Sequence, residues 1–293
     1  MYETFDKLVS LLHIKWPKYI DCLFPLMEQI HFSGPLEGAF GFLPSFLPRR
    51  EKNYLSLDIG SSSVKMLEVR GNGHAMRVLN ASIAQLPVNA IQGNVVQDTK
   101  SVTRVIQNLK EEHRVKATAV IASVPSPMVI VKRATFPAQN PRELEETILF
   151  EAANFIPESL ENVNLDYQVL NKNPGTNSVE VLLVAVRKNV VNSYVAAISA
   201  AGLVPVVVDV DYFALENMFE VNYPLTSDEE TIALINIGAR YTSINILRGK
   251  QSVFTSDVSV GGQQLTEALV RELGLSHEQA EVTKIKRENE NEE

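Results

Sequence analysis

"LDIGSSSVKMLEVRG", residues 57 to 71, is an apolar strand that breaks at Asp58-Ile59-Gly60, passes through three serines and resumes as a second apolar strand. A tight hairpin would explain the glycine alone. A phosphate cradle would explain the whole string. Glycine lets the backbone approach an anion and takes up the dihedrals of a tight turn. Successive backbone N–H groups, with the hydroxyls of Ser61, Ser62 and Ser63, supply donors. An acid at the strand end, here Asp58, holds Mg²⁺ through water beside a phosphate. Lys65 faces either that phosphate or solvent.

The motif recurs. "INIGARYTSINILRG" (235–249) aligns on it without a gap, placing Asn236 on Asp58, Gly238 on Gly60 and Arg248-Gly249 on Arg70-Gly71, each pair 178 positions apart. Two turns at matching offsets from the same Arg-Gly ending indicate a duplicated unit. Gly238, Ala239 and Thr242 then form a second candidate phosphate turn. Asn236 in place of an acid gives Mg²⁺ no charge and weakens any metal-assisted step.

Around these turns the pattern predicts strands at 54–59, 63–70 and 75–85, a helix at 98–112 and a buried strand at 117–124. There follow a strand at 128–136, a helix at 141–155, strands at 163–170 and 178–186, and a helix at 188–201 ending at Gly202. A strand "LVPVVVDV", a helix at 211–220, strands at 231–237, 241–248 and 251–259, and helices at 262–273 and from 276 complete the reading. With 125–187 lifted out, the first half reads βββ-α-β-α-β-α, a meander joined to parallel strands through crossover helices. The expected organisation is an irregular extension at 1–53, a first lobe at 54–124 and 188–226, an inserted β-α-β-β unit at 125–187, and a partial second lobe at 227–293. The proline-punctuated extension holds one amphipathic stretch at 4–14. It is either a poorly ordered extension or upstream mistranslation, or else an anchor for a membrane or partner.

Bulk properties narrow the function classes. A net charge of −8 without a basic stripe argues against nucleic acid, and one cysteine among 293 residues excludes an internal disulfide and a cysteine-rich zinc site. That usage fits a reducing, cytoplasmic setting. No segment reaches the roughly 18 to 20 apolar residues of a membrane span, so any membrane connection is expected to be peripheral. The five histidines are scattered through separate segments and suggest no catalytic constellation.

Two facing βββ-α-β units are the arrangement of the actin-like, ribonuclease H-like ATPase fold. The chain resembles the type IV pilus assembly PilM family, actin-like relatives of the cell-division protein FtsA, over about residues 54–286. The stretches that carry the resemblance are "LDIGSSSVKMLEV", "FPAQNPRELEETILFEAANFIPESLENVNLDYQVL", "AAISAAGLVPVVVDVDYFALENMF", "INIGARYTSINILRG" and "VGGQQLTEALVRELGLSHEQAEVTK". The resemblance implies an FtsA-type inserted subdomain and a scaffold on the cytoplasmic face of the inner-membrane pilus platform. It also implies that the N-terminal peptide of a PilN-like membrane protein binds between core and insert, with ATP and Mg²⁺ between the lobes. Other platform proteins and self-association are implied partners.

The family's further glycine-rich segment, which seats the adenosine, has no counterpart before "LSHEQAEVTKIKRENENEE". The second lobe is therefore expected to be incomplete, through truncation, a disrupted frame or completion by another chain. Gly261 and Gly262 precede a helix and are candidate nucleotide-binding residues at the lobe interface. Asp209 and Asp211 lie where "VVVDV" meets its helix. Asp211 either positions a hydrolytic water, as the corresponding acid does in related ATPases, or caps the helix. Scaffold, working ATPase and non-functional fragment are the readings that stand.

Overall fold

A computed structural model describes residues 52–71, 76–137, 140–173, 175–223, 227, 229–249 and 251–289. The amphipathic stretch at 4–14 lies outside them. The frame is a five-stranded sheet ordered β10-β6-β1-β2-β3, from Val204–Val210 (β10), Ala119–Val124 (β6), Lys52–Ile59 (β1), Ser63–Gly71 (β2) and Met76–Gln85 (β3). β1 to β3 form an antiparallel meander, and β6 and β10 add in parallel. This is the order expected of one actin-like lobe.

β1 shows why the lobe closes. Leu55, Leu57 and Ile59 alternate inward and are at most 4% exposed, while Ser56 and Asp58 face out. Two helices lie against the same core: α1 (Thr99–Glu112) through Val102, Ile106 and Leu109, and α3 (Lys188–Ala200) through Val190, Tyr194, Ala197 and Ile198. Asp98 caps α1 by accepting from Ser101 N at 3.0 Å. In β10 the register shifts between Pro205 and Val207, where the proline has no N–H to give the ladder. Glu68, an acid 2% exposed on β2, accepts from the backbone N–H groups of Lys116 and Ala117 at 3.1 and 3.0 Å and from Asn80. It thereby fastens the segment entering β6 to the meander.

The sequence reading missed a two-residue hairpin, β4 (Ile91–Gln92) with β5 (Val95–Val96). Its turn uses left-handed Gly93 and Asn94. A separate antiparallel sheet, β7-β9-β8, comes from Val129–Pro137 (β7), Val163–Asn173 (β8) and Ser178–Arg187 (β9). α2 (Pro141–Glu151) packs Leu144 and Ile148 onto its Phe136, Val181 and Leu183. The helix predicted at 141–155 stops at Glu151 and tightens into a 3₁₀ turn at Ala152–Asn154. That turn brings Phe155 edge-on to Phe136, with ring centroids 5.9 Å apart.

The second meander, β11 (Thr231–Ile237), β12 (Thr242–Arg248) and β13 (Gln251–Val258), is antiparallel throughout. α4 (Asp211–Asn222) docks on one of its faces, where Asn245 donates to Glu216 Oε2 at 2.9 Å. α5 (Gly262–Leu273) and α6 (His277–Asn289) follow and pair through Lys284, whose Nζ meets Thr266 Oγ1 at 2.8 Å and Glu281 Oε1 at 2.7 Å.

Burial raises the Glu216 carboxyl from its ordinary 4.5 to about 7, with Glu220 and Asp209 adding to the rise and the Asn245 bond opposing it. The folded state therefore holds this proton more tightly than the unfolded chain does. Stability is expected to be greatest below pH 4.5 as far as this group is concerned, and to fall by about 2–3 kcal/mol as pH rises to 7. Glu216→Gln should flatten that limb in urea unfolding measured across the range. An unchanged slope would assign the pH dependence elsewhere.

Candidate functional site

Both glycine turns close in the same way. Gly60 N donates to Ser63 O at 3.0 Å, and Gly238 N donates to Tyr241 O at 2.9 Å, so the 178-residue offset recurs bond for bond. The dihedral expectation fails at both: the left-handed glycines among the described residues are 93, 202, 249 and 274. What Gly238 provides is close approach. A Cβ there would lie 2.9 Å from Tyr241 O, whereas at Gly60 it would meet Ser63 O at an ordinary 3.4 Å.

The first turn stays open. Ser62 is exposed and Ser61 half-buried, while Ser63 is buried at 6% within β2. Asp58 and Lys65 face each other across β1 and β2, and Lys65 Nζ reaches Asp58 Oδ2 at 2.6 Å with both side chains about half exposed. Asp58 therefore has a resident cation. The hydroxyls of Ser61 and Ser62 and the Lys65 ammonium fit a phosphate at this turn. Among the described residues no three Asp, Glu, His or Cys side chains converge as a metal cage, so Mg²⁺ would depend on Asp58 through water and on the phosphate itself.

The second turn is already engaged. The carbonyls of Gly238 and Ala239 accept from Gly262 N at 2.9 Å and Gln263 N at 2.8 Å, the first N–H groups of α5. Thr242 Oγ1 donates to Val260 O at 2.7 Å. Arg240 reaches back to the β4 carbonyl of Ile91 at 2.7 Å. Gly261 makes this docking possible, since a Cβ would fall 2.6 Å from Gly238 O and 2.7 Å from Ala239 O. Gly261 and Gly262 thus seat a helix on the turn. Asn236, paired with Ser243 across β11 and β12, lies on the face carrying Asn245.

Asp211 ties the lobes together. Its Oδ1 accepts from Ser126 N at 3.1 Å and its Oδ2 from the Tyr241 hydroxyl at 2.6 Å. Ser126 then donates from Oγ to Asp257 Oδ1 on β13 at 2.6 Å. The helix-cap alternative for Asp211 is corrected: Val210 occupies the cap in extended conformation, and Asp211 sits inside the first turn of α4. Burial pushes the carboxyls of Asp209, Asp211 and Asp257 up. It also raises the Tyr241 and Tyr194 phenols, which feel Asp58 and Asp211 as well. The sequence reading missed Tyr241, Ser126, Tyr194 and Asp257. Tyr241 was within reach, because it falls on Ser63 in the repeat.

A cavity of about 260 Å³ opens beside this seam. Ser126, β7 residues 129–132, Tyr212, Thr255 and Asp257 line it. Its two walls are the outer edges of β7 and β13, neither of which has a second strand neighbour among the described residues. The Tyr212 hydroxyl, 3% exposed as a residue, lies beside Thr255 without a hydrogen bond of normal geometry.

A family profile described as type IV pilus assembly protein PilM matches residues 56–292. Among solved structures, a PilM–PilN type IV pilus biogenesis complex aligns at 29% identity and a TM-score of 0.70, over 80% of this chain and 69% of that one. Fainter likenesses are the ethanolamine utilization protein EutJ from Carboxydothermus hydrogenoformans (14%, TM-score 0.48, 80% and 61%) and the cytoplasmic domain of EpsL, an inner-membrane component of the Vibrio cholerae type II secretion system (13%, TM-score 0.44, 77% and 78%).

The two glycines at the turns make contrasting mutants. Gly261→Ala should lower stability by about 1–3 kcal/mol, because backbone on both sides of the new methyl must move. Gly60→Ala should stay within about 1 kcal/mol of the parent, its methyl meeting ordinary contact distance. Urea midpoints of the two variants check the contrast.

Proposed function

Because the chain belongs to the type IV pilus assembly protein PilM family, we propose that it is a scaffold of the pilus platform on the cytoplasmic face of the inner membrane. Its main work in this reading is to bind the N-terminal peptide of a PilN-like membrane protein. The observation that carries the reading is the cavity between the β7 and β13 edges. An extended peptide laid there gains main-chain hydrogen bonds from unpaired strand edges. Lys132 and Asp257 offer side-chain contacts, and Tyr212 forms part of the lining. Bridges at either end, Arg133 Nη2 to Ser252 O at 2.9 Å and Ser126 to Asp257, bound the opening. No helix among the described residues is long and apolar enough to cross a membrane, and a peptide hold on a membrane protein supplies the attachment such a scaffold needs.

Nucleotide enters this reading as a structural or regulatory ligand. Ser61, Ser62 and Lys65 would hold its phosphate, and Asp58 an accompanying Mg²⁺ through water; bound there, the metal would supply charge neutralisation. A working ATPase that polymerises is the second reading, favoured by the openness of the first turn alone. Against it stand the loss of the acid at Asn236 and the engagement of the second turn by α5. Asp211, with both oxygens accepting from protein donors, acts as a fastener of the lobes.

Two measurements test these readings. Titrating the full chain with the N-terminal peptide of the PilN in the solved complex should show 1:1 binding. Lys132→Glu should weaken it by roughly tenfold or more with circular dichroism unchanged; equal affinity would remove the peptide from this cavity. ATP turnover is expected to stay at background. Robust turnover abolished by Asp58→Ala would overturn the scaffold reading in favour of the ATPase.

A further inference from the structure

Arg70, Arg77, Lys110, Arg114 and Lys116 come from three separate stretches of sequence, and the fold gathers them at one end of the first lobe. β1 starts at that end, β2 finishes there and β3 starts there, since Lys52 pairs with Gly71 and Gly71 with Met76. The loop from α1 into β6 is fastened to the same end by Glu68, which accepts from the N–H groups of Lys116 and Ala117. Arg77, Arg114 and Lys116 are exposed, and Arg70 and Lys110 are half-buried. None of the five forms an ion pair among the described residues. Arg70 Nε donates instead to neutral Asn53 Oδ1 at 2.8 Å. The exposed acids beside them are Glu111 and Glu112, so cations prevail locally on a chain whose net charge is −8.

Two of these placements cost stability. Arg70 and Arg77 stand directly opposite each other across β2 and β3, where like charges repel. The fold does not demand this: in the second meander Arg248, the repeat equivalent of Arg70, stands opposite neutral Gln251. Arg114 follows α1 where Arg114 N meets Glu111 O at 3.1 Å and Val115 N meets Lys110 O at 2.9 Å. That helix ending calls for a left-handed residue, usually glycine, and Arg114 takes it at φ 50° with the strain of a Cβ. The other left-handed residues with side chains among those described are Asn89, Asn94 and Asn177, a type that tolerates the conformation. A cation near a helix C-terminus gains from the macrodipole, but Lys110 already supplies one in the last turn. Two local sacrifices thus put arginine at the same end of the molecule.

We propose that this end of the first lobe docks on the anionic phospholipid headgroups of a membrane surface. The inference rests on the reading that the chain works at a membrane face. Guanidinium groups present forked donors to phosphate oxygens, and each Lys or Arg near an anionic leaflet strengthens binding by about fivefold. A protein partner would call for an apolar centre to its contact. No large apolar side chain is exposed beside these cations among the described residues. The peptide cavity begins at Ser126, past the far end of β6, so the lipid contact and the peptide contact are separate holds.

Co-sedimentation of the full chain with vesicles tests the proposal. Vesicles of phosphatidylcholine containing phosphatidylglycerol should carry the chain down, and vesicles of phosphatidylcholine alone should not. Added salt should release it. Arg77→Gln combined with Arg114→Gly should weaken binding by about tenfold or more. The melting temperature of that variant should stay level or rise, because one change removes a like-charge pair and the other removes strain. A merely structural role would lower it. Arg77→Lys combined with Arg114→Lys should retain binding. Absence of sedimentation would overturn the proposal, as would equal binding to neutral vesicles, binding indifferent to the charge-removing variant, or loss of binding in the charge-retaining one. The vesicles carry no peptide and the PilN-peptide titration no lipid, so either hold can fail while the other stands.

Discussion

The position of one lobe against the other depends on the Asp211 carboxylate. It is half-buried at the head of α4 and holds the backbone after β6 with one oxygen and the Tyr241 phenol of the second turn with the other. A buried acid is costly unless its oxygens accept hydrogen bonds, and each donor here comes from a different part of the molecule. The bond to Tyr241 fixes the second turn, the turn fixes α5 through Gly262 and Gln263, and the Ser126 bond to Asp257 fixes β13. This chain of bonds ends at the cavity, where the Ser126–Asp257 bond joins its two walls.

The two turns share ancestry and geometry but have diverged in use. The first presents hydroxyls and an ion pair to solvent. The second has spent its carbonyls on a helix N-terminus, where four N–H groups otherwise lack partners. Gly261 permits that docking by bringing two backbones closer than any side chain would allow. An N-terminus capped by backbone carbonyls has little left for an anion, so the asymmetry between the turns extends beyond the exchange of Asp58 for Asn236.

Much of this was legible in the sequence. Alternation in "LSLDI" and "TIALINI" gave the strands, and the fixed offset between the turns gave the duplication. Parallel addition of β6 and β10 followed from the crossover helices. Two-residue strands such as β4 and β5 carry no periodicity and could not be read. The end of α2 was overrun because Ile148, Ala152 and Phe155 keep helical spacing through the 3₁₀ turn. Asp211 looked like a cap because acids favour that place, and only the extended backbone of Val210 excludes it. The Asp211–Tyr241 bond spans 30 residues and two lobes, a contact set by tertiary packing that no local pattern encodes. The opposite burial of Leu57, 1% exposed, and its repeat equivalent Ile235, 57% exposed, was also invisible, since the two strands look alike as sequences.

The outer edges of the molecule are unequally guarded. β10 carries Pro205 and a bulge, which blunt it against further pairing. β11, "TIALINI", has no charge, no proline and no glycine along its seven residues. A short, uncharged, β-prone strand with β12 as its one neighbour among the described residues is also the template on which identical chains stack into fibrils. Solubility of this protein is thereby tied to its concentration, because each chain with this edge exposed offers the next one a strand to pair with.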